Sequence, residues 1–162
     1  MKIPLLLSIL LAISSAANAA SNNWQSVLAQ DPISGNTGCL LISASKQSED
    51  GQSGTPVQII YNGRIFMIKT ESNIDLSYPG IGLQVDNNKA FNIDRLHKKT
   101  NVVFESQAEI IRGEFISGIS ARLTLGFWPS WPVTKAYQSR FSLRGFTRAH
   151  QAFRDCQEAE GV

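Results

Sequence analysis

The chain has 162 residues, with 15 basic against 13 acidic side chains and a formal net charge of +2. Its basic residues are dispersed rather than clustered, from Arg64 and Lys69 through Lys98 and Lys99 to Arg140. That distribution leaves no basis for a nucleic-acid partner, and the length fits one domain around one core.

The first residues read as an export leader. Lys2 precedes an apolar run from Ile3 to Ile13, and small residues lead to Ala17-Asn18-Ala19. This pattern predicts a signal peptide over residues 1–19, cleaved after Ala19, and a single exported β-rich domain over 20–162. The alternative, a membrane anchor, is opposed by the shortness of the apolar run. No later stretch is apolar for long enough to cross a bilayer, so no transmembrane segment is expected after cleavage. The expected location is the periplasm or the exterior. An oxidising compartment favours pairing of the two cysteines, Cys39 and Cys156; free structural thiols and reactive thiols are the alternatives. Two cysteines and two distant histidines, His97 and His150, make a poor zinc set, so neither a metal site nor a cofactor is expected.

Elements follow in chain order. Around Trp24, Val27 and Leu28 the chain forms an irregular strand or a turn of helix that buries the indole. Turn signals at Asp31-Pro32 and Ser34-Gly35-Asn36 precede a strand over Gly38 to Ala44. The polar run SKQSEDGQSGT reads as an exposed loop. Residues 56–70 form a hairpin about Asn62-Gly63, a type I′ turn signal. Both of its faces are partly apolar, so it is expected to be covered on both sides. Ile81, Leu83 and Val85 alternate with polar or small residues, and Asp86-Asn87-Asn88 turns the chain toward a return arm at Phe91 and Ile93. A short strand is expected over Asn101 to Phe104.

The period then changes. Ser106 and Glu109 have capping-box spacing, and Gly113 marks a stop, so a short helix is expected between them, with a strand over EIIRGEFI as the alternative. Ala121, Leu123, Leu125 and Phe127 give the next strand one apolar face. The run Trp128-Pro129-Ser130-Trp131-Pro132 cannot carry a regular ladder. Another strand runs from Val133 to Ser142. Ser142 then caps a terminal helix whose stripe comprises Leu143, Phe146, Ala149, Phe153 and Cys156. Gly145 falls in its first turn. The sum is a mostly β, β-sandwich-like pair of antiparallel sheets, with a short internal helix and a C-terminal helix packed on the sheet.

Candidate chemistry is sparse. No G-x-S-x-G elbow is present, and His97 sits in the charged segment RLHKKT, so no catalytic residue is assigned. Carboxylate pairs among Glu49, Asp50, Asp86 and Asp94 would suit a hydrolase only in a shared cleft. The aromatic-proline run carries more weight. Trp128 and Trp131, with Arg122 and Arg140 on the adjoining strands, form the candidate partner-binding set. The competing reading has the tryptophans covering one end of the core.

The segment Ser142-Leu143-Arg144-Gly145-Phe146, with Ala149 and Phe153 behind it, resembles the start of the terminal helix in the invasion-associated locus B family of exported Gram-negative proteins. Ile81 to Asp86 resembles that family's valine-aspartate strand, and Ser106 to Gly113 its short helix. The resemblance covers about residues 36–155 and implies a periplasmic or secreted β-sandwich-like protein. It supplies no catalytic residues. Members commonly carry a further central cysteine pair, which this chain lacks.

The expectation for function is a non-enzymatic binding or accessory protein that meets an envelope or host protein. The alternatives are a carboxylate-dependent hydrolase and a component of an envelope assembly. Oligomeric state is not legible in the sequence.

Overall fold

The computed structural model describes residues 23–128 and 135–161. The expected leader, residues 1–19, and Trp131 lie outside the described residues.

Among the described residues there are ten strands and two helices. The first half contains β1 (Trp24–Gln30), β2 (Thr37–Ser43), β3 (Lys46–Ser48), β4 (Thr55–Tyr61), β5 (Phe66–Lys69) and β6 (Gly82–Val85). The second half contains β7 (Arg95–His97), β8 (Asn101–Phe104), α1 (Ala108–Ser117), β9 (Ser120–Leu125), β10 (Tyr137–Ser142) and α2 (Phe146–Glu160). They form two antiparallel sheets. The larger has the order β1-β2-β4-β5-β8-β7, with β3 beside β4, and the smaller has the order β10-β9-β6. The mostly β, sandwich-like architecture with a short internal and a terminal helix is the one that the residue pattern predicts.

The main core lies between one face of the larger sheet and a second layer made by the smaller sheet and both helices. Leu41, Ile59, Phe66 and Val102 meet Leu83, Leu123 and Phe141 from the smaller sheet, and Phe115 and Phe153 from the helices. Each of these side chains is at most 2% exposed. Every one leaves water almost entirely, at about 1.5–3 kcal/mol of transfer free energy apiece. The strict alternation in β9 is realised, with Ala121, Leu123, Leu125 and then Phe127 all buried.

The two-sided hairpin is also real. Leu40, Ile60, Ile65, Met67 and Val103 form a second apolar cluster on the opposite face of the larger sheet. Its turn differs from expectation. Of Asn62 and Gly63 only the glycine has a positive φ, at 96°, whereas a type I′ turn needs both. The strands pair Tyr61 with Phe66, so the loop holds four residues. The Asn62 side-chain oxygen closes it by accepting the Arg64 and Ile65 amides at 3.0 and 2.9 Å. Gly63 has a second constraint, because a Cβ there would lie 2.8 Å from Gln157 Nε2 on α2.

Four further elements depart from the sequence reading. β6 pairs with β9, Leu83 opposite Leu123, and the return arm at Phe91 keeps a single bridge to Leu83. The charged segment around His97 is a strand, paired through Leu96 with Val102. The capping box at Ser106 does not form. The Ser106 hydroxyl donates instead to Asp94 Oδ1 at 2.6 Å, and α1 runs past Gly113 to Ser117. Gly118 ends it, packed so closely that a Cβ would lie 2.5 Å from Val85 Cγ1. At the last helix, Ser142 belongs to β10. The N-cap is Gly145 at φ 90°, a conformation that costs a glycine nothing.

The polar run 45–55 is not simply an exposed loop. β3 forms within it, and Asp50 is only 8% exposed. Its carboxylate accepts the Gln52 and Gly54 amides and the Ser72 hydroxyl.

Cys39 and Cys156 form a disulfide, with their Cα atoms 6.0 Å apart. It joins the second strand of the larger sheet to the last turns of α2.

Candidate functional site

The three-stranded sheet presents its apolar residues inward and its polar residues outward. Alternation in β9 and β10 puts Ser139 and Phe141 in the interior and leaves Gln138 and Arg140 on the outer face. The register then sets Arg140 directly opposite Arg122, and Arg122 opposite Gln84 of β6. Two of the four predicted contact residues therefore share one cross-strand row.

Directly opposed residues in an antiparallel pair hold their Cβ atoms about 4.5–5.5 Å apart. Like charges at that separation repel unless an anion lies between them. The Arg122 guanidinium donates to Gln84 Oε1, which orients it without neutralising it. The ion pairs among the described residues are Arg64–Glu105, Arg95–Glu105, Arg112–Glu109 and Lys135–Glu49, and neither Arg122 nor Arg140 takes part in one. The serines of the next row, Ser120 and Ser142, are also paired. The result is a hydroxyl- and guanidinium-bearing strip with uncompensated positive charge. Guanidinium groups so placed match the planar fork of a carboxylate or the oxygens of a phosphoryl group.

Trp128 does not join that row. It lies six residues beyond Arg122, roughly 20 Å along an extended chain. Its backbone amide donates to the Asn73 carbonyl at 2.8 Å, and 61% of its surface is exposed. Trp128 therefore does not cover the core, and the structure separates the aromatic contact from the arginines. Among the described residues the buried indole is Trp24, 5% exposed, which the sequence marked only as a core residue.

Of the carboxylates considered for hydrolysis, Glu49 is exposed and pairs with Lys135, and the three aspartates are each engaged in holding the backbone. Asp86 accepts the Ile119 and Ser120 amides, and these bonds hold its pKa below the ordinary value. Burial pushes the Asp94 carboxyl upward, but the Ser106 hydroxyl and the Glu105 and Ser106 amides outweigh it and lower its pKa. Asp50 behaves likewise, burial being overcome by the Ser72 hydroxyl and two amides. All three are thereby held in the ionised form, as acceptors. A cavity of about 660 Å³ borders Asp50, the 51–54 turn and Tyr137, and its carboxylate is the one already satisfied. Among the described residues no group of three or more His, Cys, Asp or Glu side chains is arranged to hold a metal ion.

His150, in the second turn of α2, is 9% exposed and packed among Tyr61, Phe146 and Phe153. Burial, with Arg112 and Arg154 nearby, lowers its pKa. It is a neutral packing residue.

Comparison with protein-family models, curated proteins and solved structures found no match to this chain.

Proposed function

We propose that this is an exported binding or accessory protein of the periplasm or exterior, without catalysis of its own, which meets an envelope or host partner through the outer face of the smaller sheet. The observation that carries the reading is the opposition of Arg122 and Arg140 with no carboxylate to neutralise them. An arrangement that costs the free protein stability is relieved when a partner supplies the anion. The partner's contact surface is accordingly acidic. The disulfide between Cys39 and Cys156 agrees with an oxidising compartment. Kinship with the invasion-associated locus B proteins belongs to this reading and rests on the Ser142–Phe146 segment.

The test compares capture from envelope extract by the oxidised protein and by an Arg122→Gln, Arg140→Gln variant. Loss of a captured species in the variant, with circular dichroism unchanged and salt abolishing capture by the parent, is the expected result. Equal capture by both refutes the arginine face.

Exposure of Trp128 favours a second contact, that of an assembly component presenting its aromatic edge. Trp128→Ala should leave stability within about 0.5 kcal/mol and weaken association. A fall in the denaturation midpoint without loss of association would return this residue to the core.

A further inference from the structure

The larger sheet carries an apolar layer on the face away from the helices, and none of that layer's members comes from a helix or from the smaller sheet. A groove of about 480 Å³ lies over it. Its floor includes Ala29 and Val27 of β1, Leu40 and Ile42 of β2, and Ile60 of β4. Leu40 and Ile60 are only 3% and 6% exposed, so the floor is concave rather than flat.

The two ends of this groove differ in charge. Pairing places Gln58 beside Lys69, Lys69 beside Asn101, and Asn101 beside His97, which forms one polar row on the same face. Lys98, held at φ 55° in the turn after His97, joins Lys69 along the groove. Neither lysine forms an ion pair among the described residues. At this end the Nε2 atom of His97 is buried without a hydrogen-bond partner. At the other end stands Asp31, whose carboxylate is occupied by the Ile33 amide, the Ser34 hydroxyl and the Asn62 amide group. From the Ala29 row to the Lys69 row the floor spans three residue pairs, roughly 20 Å at the usual strand rise.

The geometry points to a binding site for a free, single-chain anionic amphiphile, with its acyl chain along the Val27–Ile60 floor and its carboxylate at Lys69 and Lys98. The apolar floor supplies the affinity through burial of methylene groups. The two lysines supply the polar recognition, while Asp31 disfavours the reversed orientation. This site lies on a different sheet from Arg122 and Arg140 and does not rest on their role.

The probe is sodium laurate, titrated into the oxidised exported protein by calorimetry and by amide chemical-shift mapping, with dodecanol as the uncharged control. Saturable one-to-one binding is expected, about ten- to hundred-fold tighter for laurate than for dodecanol. Lys69→Gln with Lys98→Gln, both at exposed positions, should erase that preference while the protein stays folded. Ala29→Trp should fill the floor and abolish binding of both probes.

Equal affinity for laurate and dodecanol, or no saturable binding, overturns the proposal. So does laurate binding that survives Ala29→Trp with its shifts mapped elsewhere. Binding only to phosphatidylglycerol vesicles would replace a free ligand with a membrane surface. A sedimentation dimer abolished by Ala29→Trp would instead place a second copy over the groove. If Ala29→Trp fails to fold, the lysine variant and the shift map decide alone.

Discussion

The indole Nε1 of Trp24 donates a 2.8 Å hydrogen bond to the backbone carbonyl of Ser142, 118 residues away in the chain. One residue opens the larger sheet and the other closes the last strand of the smaller one. The same indole makes edge contacts with Phe115 of α1 and Phe146 of α2, at centroid distances of 5.7 and 5.0 Å. Both sheets and both helices therefore converge on Trp24.

Trp24→Phe keeps an aromatic ring but removes the donor and leaves the Ser142 carbonyl without this partner. The expected cost is about 1–3 kcal/mol, the penalty for an unsatisfied buried polar group, plus a smaller packing loss. Urea denaturation followed by fluorescence of Trp128, which the variant retains, measures it. An unchanged midpoint would show that water replaces the bond without loss.

The disulfide closes a loop with a sequence separation of 117. The chain-entropy account assigns roughly 4–5 kcal/mol to a loop of that size. A Cys39→Ser, Cys156→Ser variant should lose stability of that order. Hydrogen exchange should quicken first at the C-terminal turns of α2, which the bridge holds against β2. Mass analysis of the parent before and after reduction should differ by two hydrogens.

Phe153 is 1% exposed and packs against Tyr61 at a centroid distance of 5.6 Å. Phe153→Ala should cost about 3–5 kcal/mol. Gly63 lies against the ring's edge, so the 62–65 turn should show the largest chemical-shift changes. Shifts confined to α2 would mean that the helix docks without reading the turn.

His150 has a lowered pKa in the folded protein, so the unfolded chain binds its proton more readily. Stability should then fall as the pH drops below the ordinary histidine value of 6.5 and level off once the folded-state group is also protonated. Above 6.5 both states are neutral and the slope vanishes. His150→Phe should flatten this window while leaving the steeper loss below pH 3.8, where Asp31, Asp50, Asp86 and Asp94 protonate. A parent protein with no slope immediately below pH 6.5 would contradict the burial assignment.

Local period was legible along the chain and survived folding. The alternation of β9 and the spacing of Phe146, Ala149 and Phe153 follow from strand and helix geometry alone, and both faces are buried as written. With two cysteines present, an intramolecular bridge had only one possible connectivity. Signals that need a distant partner were not legible. Ser106 had the spacing of a cap, but Asp94, twelve residues upstream, takes its hydroxyl. Gly145 read as a weak point in a helix, yet the chain's passage from β10 to α2 needs its left-handed conformation.

The candidate sites divide in the same way. Composition marked Trp128, Arg122 and Arg140, but only the register of β9 against β10 sets the arginines opposite each other. Composition gave no sign of the Lys69–Lys98 groove, because its floor is assembled from three strands and its polar end from a fourth and a turn. Side-chain alternation is a property of each strand by itself, whereas which strands become neighbours depends on burial summed over the whole core. The sequence by itself determined the local periods, the inward faces they imply and the connectivity of the covalent clamp. Only the tertiary structure decided which charges meet and which apolar residues line the groove on the larger sheet.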